Sequence, residues 1–82
     1  MKRGTVFETI RQERYYQDLK WGRRTHGVRA WLLIMEAELK EAKEAWAEDP
    51  GSDSPALAEI IQVIAVGTAC LEQHAPEYQK AR

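Results

Sequence analysis

A single cysteine, Cys70, excludes any disulfide within the chain, and a lone thiol fits a reducing cytoplasm. Proline is scarce too: three in 82 residues, at positions 50, 55 and 76, so long stretches carry no helix breaker. Neither sign of charge dominates. Twelve basic and 13 acidic side chains leave a formal net charge of −1, which argues against a nucleic-acid polymer as partner and against a charged arm. No apolar run approaches ~20 residues without a charge, so no membrane span is expected. The start, Met1-Lys2-Arg3, is basic, but Gly4 to Tyr16 is too polar for the core of a signal peptide. There is no repeat, low-complexity stretch or β alternation. These absences lead to the expectation of one soluble, cytoplasmic domain spanning residues 1–82. A domain this short buries only roughly 60% of the surface its unfolded chain exposes. Self-association, a bound metal or both are therefore expected to support it.

What remains reads as all-α. Thr5 to Trp21 is rich in helix formers and has no proline or glycine, and Gly22 ends it. Its apolar residues form no single stripe, which predicts packing against more than one surface or a kink. Arg23 to Gly27 is a polar loop. A second helix is expected from Val28 to Glu48, stopped by Asp49-Pro50-Gly51. Ser54 as N-cap and Pro55 at the first helical position open a third, which is expected to run to about His74 and break at Ala75-Pro76. Glu77 to Arg82 is then one last turn or a loose tail. The expected architecture is a helical hairpin with an N-terminal helix beside it.

Three acids break the pattern of these helices. At ~100° per residue, with Ile34 at zero, Trp31, Met35, Ala42, Ala45 and Trp46 fall on one side, within roughly 120° of Ile34. Glu36, Lys40, Lys43 and Glu44 lie opposite or flank that arc. Glu38 and Glu41 instead fall at about +40° and −20°, in the middle of it. The third helix is apolar nearly all round from Ala56 to Leu71, which predicts cover from another subunit. It carries Glu59 in line with Val63, Val66 and Cys70, with Gln62 one turn on. Unpaired carboxylates in a core cost several kcal/mol each or take up protons. The inward arcs of these two helices hold no basic residue. A hard divalent cation satisfies the acids, and Mg²⁺ (with Mn²⁺ as alternative) favours oxygen ligands shared with phosphates. Glu38, Glu41, Glu59 and Gln62 are the candidate metal ligands, two from each of two facing helices.

These residues resemble the MazG-like, all-α nucleoside triphosphate pyrophosphohydrolases. That family carries Glu-Glu-x-x-Glu on one helix and Glu-x-x-Asp on the next. The matching stretches here are Ala37-Glu38-Leu39-Lys40-Glu41 and Glu59-Ile60-Ile61-Gln62. Upstream, Gln17-Asp18-Leu19-Lys20-Trp21-Gly22 resembles the family's Lys-Trp-Gly segment, and Trp31-Leu32-Leu33-Ile34-Met35 its run into the acidic motif. The likeness covers about Arg11 to Leu71. Ala37 stands where the family's first Glu is usual, and Gln62 where Asp is usual. The resemblance implies Mg²⁺-dependent hydrolysis of a (deoxy)nucleoside triphosphate to monophosphate and pyrophosphate. It also implies a homodimer or homotetramer with a four-helix core shared between chains. Lys20, Arg23 and Arg24 are then phosphate contacts and Trp21 a base-stacking residue, with Trp31 a more buried second choice. No single catalytic base is assigned among the acids.

Two other readings stand beside this one. Ala37 and Gln62 favour a degenerate member that binds nucleotide or metal without turnover. A helical oligomerisation module without ligand would treat the acids as ordinary salt-bridged residues. Trp21 serves equally as a packing aromatic, Trp46 fits a core or interface, and the Lys20, Arg23, Arg24 cluster a solvated surface. His26 reads as a surface loop residue, His74 as a charge suited to a helix C-terminus, and Cys70 as a small buried hydrophobe.

Overall fold

Gly22 takes a left-handed φ of 74°, and its N–H donates to the Asp18 carbonyl at 2.9 Å, closing the first helix where glycine alone fits without strain. The computed structural model describes the backbone of residues 1–81 and the side chains of residues 1–75. Three helices run in order, α1 (Arg3–Trp21), α2 (Val28–Glu48) and α3 (Ser54–Ala81), with no strand among the described residues. The second helix has the expected ends. At the start of α3 the Asp53 carbonyl accepts the Leu57 N–H at 2.9 Å, so Asp53 holds the cap position and Ser54 is the first helical residue.

The third helix does not break at Ala75-Pro76. It continues to Ala81, and Arg82 lies outside the described residues. One proline removes one N–H from the helical ladder, a loss tolerated by a helix held along its length by two neighbours. At ~1.5 Å per residue α3 is about 42 Å long, nearly the whole 45 Å axis of the molecule. It is the spine. The hairpin partner α2 packs along it, and α1 packs on α3 rather than on α2.

The core is small. Trp31, Val66 and Ala69 form its centre, with Ile34, Met35 and Cys70 packed against it. Ala42, Ala56 and Ala65 are the other buried apolar side chains. Many larger ones stay exposed. Phe7, Tyr15, Tyr16 and Leu19 are exposed on α1, Gln17 is its one buried side chain, and Val6, Ile10 and Arg14 are half-buried, so α1 packs on one neighbour, α3, rather than on several surfaces. Trp46, expected on the inner arc of α2, is exposed, because the buried side of α2 centres on Trp31 and Ala42 and Trp46 lies past its edge. Ser54–Ala75 is long and apolar enough to cross a membrane by length and composition. Its two acids are Glu59, in the carboxylate cluster, and Glu72, paired with Arg14, while Leu57, Ile60, Ile64 and Leu71 along it are exposed.

Candidate metal centre

The helical phase brings Glu38 and Glu41 to Glu59, but only Glu38 turns into the hairpin; Glu41, expected in the middle of the inward arc, lies at its solvent edge. One carboxylate oxygen from each of the three lies within 4.8 Å of the others. Glu38 and Glu59 are half-buried and Glu41 sits at the exposed rim. Buried Ala42, one turn along α2 from Glu38, and Ala56, one turn before Glu59, keep the adjoining layer small. Oε2 of Glu38 and Oε2 of Glu59 are both shielded from solvent and accept no hydrogen bond. A buried carboxylate oxygen without a donor is costly, and two side by side more so. The Glu38 carboxyl is correspondingly pushed above the ordinary carboxylate range, first by burial, then by the charges and closeness of Glu41 and Glu59. Lys20, reaching over from α1, pulls it partly back. The donor set, three carboxylates, two with free buried oxygens and no arginine among them, could hold a hard cation. Gln62 is half-buried one turn beyond Glu59 on α3.

Glu38 also lines a cleft of about 650 Å³ between the three helices and the loop 22–27. Trp21, Arg23 and Arg24 stand on its loop side and Trp31, Ile34 and Val66 on its floor. Three of the four expected substrate contacts are thus gathered at one opening. The fourth, Lys20, holds its ammonium 5.1 Å from the Trp21 ring and acts on the acids rather than lining the cleft. Trp21 is 43% exposed while Trp31 is buried, which leaves Trp21 the freer ring face.

Comparison with known family models, with curated proteins and with solved structures finds no match to this chain.

Several side chains that shape the cleft have no signature in the pattern of the sequence. Arg14 spans α1 and α3. It donates to Glu72 at 2.9 and 3.1 Å, to Asp18 at 3.0 Å and to the Gln17 carboxamide oxygen at 3.2 Å. Its charge is held more firmly than usual, chiefly by the hydrogen bond to Glu72. Arg23 is a looser partner of Asp18, at 4.0 Å and largely exposed. Gln17 is buried, and its Nε2 has no acceptor. His26 is not a free surface residue: its ring meets Trp31 edge-on at 4.8 Å. His74 is not at a helix C-terminus, because α3 continues, and its Nε2 bonds the His26 carbonyl at 2.9 Å. That carbonyl only accepts, so Nε2 carries the proton. Cys70 is half-buried against the core.

Proposed function

We propose that the chain is a Mg²⁺-dependent pyrophosphohydrolase of (deoxy)nucleoside triphosphates, as its resemblance to the MazG-like enzymes implies. The observation that carries this is the pair of buried, donorless oxygens on Glu38 and Glu59, beside Glu41, with Glu38 also lining a cleft that holds arginine and tryptophan. Glu38, Glu41 and Glu59 would hold the ion, with the Gln62 carbonyl as a neutral fourth oxygen. A bound Mg²⁺ supplies charge neutralisation for phosphate oxygens and a more acidic water. The chain's own residues do the rest. Arg23 and Arg24, on an exposed loop with free donors, meet the phosphate chain, and Lys20 adds positive charge beside the acids. Trp21 offers a ring face to the base. Incubation of the pure protein with a panel of nucleotides and Mg²⁺ should release pyrophosphate. No release from any of them, with Mg²⁺ or Mn²⁺, removes the enzymatic claim.

A second reading, nucleotide or metal binding without turnover, is favoured by Ala37 and Gln62, which leave the site fewer charges than the motif it resembles. Calorimetry separates the two: tight binding without hydrolysis supports the binder. Gln62→Asp should then raise Mg²⁺ affinity.

The assembly we propose is a homodimer or homotetramer in the cytoplasm. Leu32, Leu39 and Trp46 on α2, and Leu57, Ile64 and Leu71 on α3, recur at seven-residue intervals and are all exposed. Such spacing gives each helix an apolar seam suited to a helix of a second copy. Leu39→Lys with Ile64→Lys should lower the mass found by light scattering, and a wild-type monomer at micromolar concentration would refute the assembly.

A further inference from the structure

We infer that Gln73 is the positioning residue that holds the loop 22–27 in the shape that forms the nucleotide end of the cleft; this rests on the reading of the cleft given above. The loop has little to fix it. Residues 22–25 and 27 are exposed, and no regular ladder runs through the segment. Gly22 and Arg23 reach Asp18 at its start, but Arg24 to His26 are tied to α3 chiefly by one carboxamide. The Gln73 Oε1 accepts the His26 N–H at 3.2 Å and the Trp31 indole Nε1–H at 2.9 Å, and its Nε2 donates to the Arg24 carbonyl at 2.7 Å. The neighbouring His74 adds the bond to the His26 carbonyl. Both ends of the carboxamide are thus engaged by protein, and Gln73, though it lines the cleft, has one remaining amide hydrogen at most to offer a ligand. Its partners are the backbone on either side of Thr25 and the ring that floors the cleft. Fixing them sets where Arg23 and Arg24 present their guanidinium groups, which lowers the ordering cost of binding.

Glu38 lines the same cleft, but Gln73 bonds none of Glu38, Glu41 and Glu59, so a change at Gln73 separates nucleotide from metal. Gln73→Glu keeps an acceptor for His26 and Trp31 but turns the donor to the Arg24 carbonyl into an acceptor. Gln73→Leu removes all three bonds. The measurements are calorimetry with Mg²⁺ alone, calorimetry with a non-hydrolysable nucleoside triphosphate plus Mg²⁺, and hydrogen exchange at the Trp31 indole N–H and His26 amide. Nucleotide affinity should fall on the order of fiftyfold in Gln73→Leu, following the bonds lost, and by roughly tenfold or more in Gln73→Glu, whose carboxylate faces the Arg24 carbonyl and adds negative charge to the cleft. Mg²⁺ affinity should hold within about twofold, since no metal ligand is touched. Exchange at both N–H groups should quicken in Gln73→Leu. Unchanged nucleotide affinity in both variants would overturn the inference, as would parallel loss of Mg²⁺ and nucleotide, which marks a general folding role. A wild-type protein that binds neither Mg²⁺ nor nucleotide overturns the reading of the cleft and this inference with it. Exchange that stays slow in Gln73→Leu refutes the clamp alone.

Discussion

Replacing Glu38 by Gln removes one charge from the carboxylate cluster and leaves the side chain's shape unchanged. In metal-free protein the cluster works against the fold, since oxygens of the three acids lie within 4.8 Å of one another. At that distance each ionised pair repels by ~0.9 kcal/mol at the dielectric of water and by ~3.5 kcal/mol at an effective value of 20. Glu38 takes part in two pairs and is half-buried, while Lys20 offsets part of the sum. Uptake of a proton limits the penalty further, so Glu38→Gln should stabilise the metal-free protein by about 1–3 kcal/mol at pH 8. For a domain of this size that raises Tm by about 4 °C or more at fixed protein concentration.

The pH dependence has a definite sign. Folding raises the Glu38 carboxyl above its ordinary value of 4.5, through burial first and then Glu41 and Glu59. Protonation therefore favours the fold. Metal-free wild type should keep this contribution below the ordinary carboxylate value and lose it as pH rises through the raised one. The variant lacks that loss. Adding Mg²⁺ at ~100 times its Kd stabilises wild type by about 2.7 kcal/mol and should do little for the variant. Thermal melts in chelator and in Mg²⁺, at pH 5 and pH 8, read all four states. A variant that melts below wild type in chelator at pH 8, or that gains as much from Mg²⁺, refutes the account of the cluster.

Arg14→Met should cost about 2–3 kcal/mol in urea denaturation, because it strands Glu72, Asp18 and the Gln17 carboxamide oxygen in a partly buried joint. Gly22→Ala should cost about 1 kcal/mol or more, since a φ of 74° strains any residue with a Cβ, although nothing stands within 4 Å of one there. Trp31→Phe should lower stability by about 1–2 kcal/mol through the lost indole bond to Gln73 and the smaller ring. Equal melting of the Phe variant and wild type would mean that this bond contributes nothing net.

Helix ends and the convergence of the acids are legible because both are local, although Glu41, expected in the middle of the inward arc, is exposed. Gly22, Pro50 and Pro55 mark boundaries by backbone chemistry alone, and the phase of Glu38, Glu41 and Glu59 follows from counting residues along one helix. The dock of α1 was not legible, because it is made by Arg14 and Gln17 and leaves Phe7 and Leu19 exposed, so apolar periodicity points the wrong way. The Gln73 clamp joins residues 42 to 49 positions apart, and nothing near Gln73 in the chain announces its partners. The error at Pro76 has a different origin: local breaking tendency was outweighed by packing along the rest of α3.

A pattern along one helix reports that a charge faces inward, but not what meets it there. Here the two outcomes occur in one molecule. Asp18 and Glu72 are met by Arg14, with bonds of about the length a charged pair prefers, so they need no ion. Glu38 and Glu59 are met by Glu41 and by each other, and their buried oxygens receive no donor from any described side chain. Lys20 lowers the Glu38 carboxyl without bonding it, which is too little to balance three acids. Arginine is available within the same fold and serves one acidic pair, and its absence from the other is the ground on which we propose a divalent cation there.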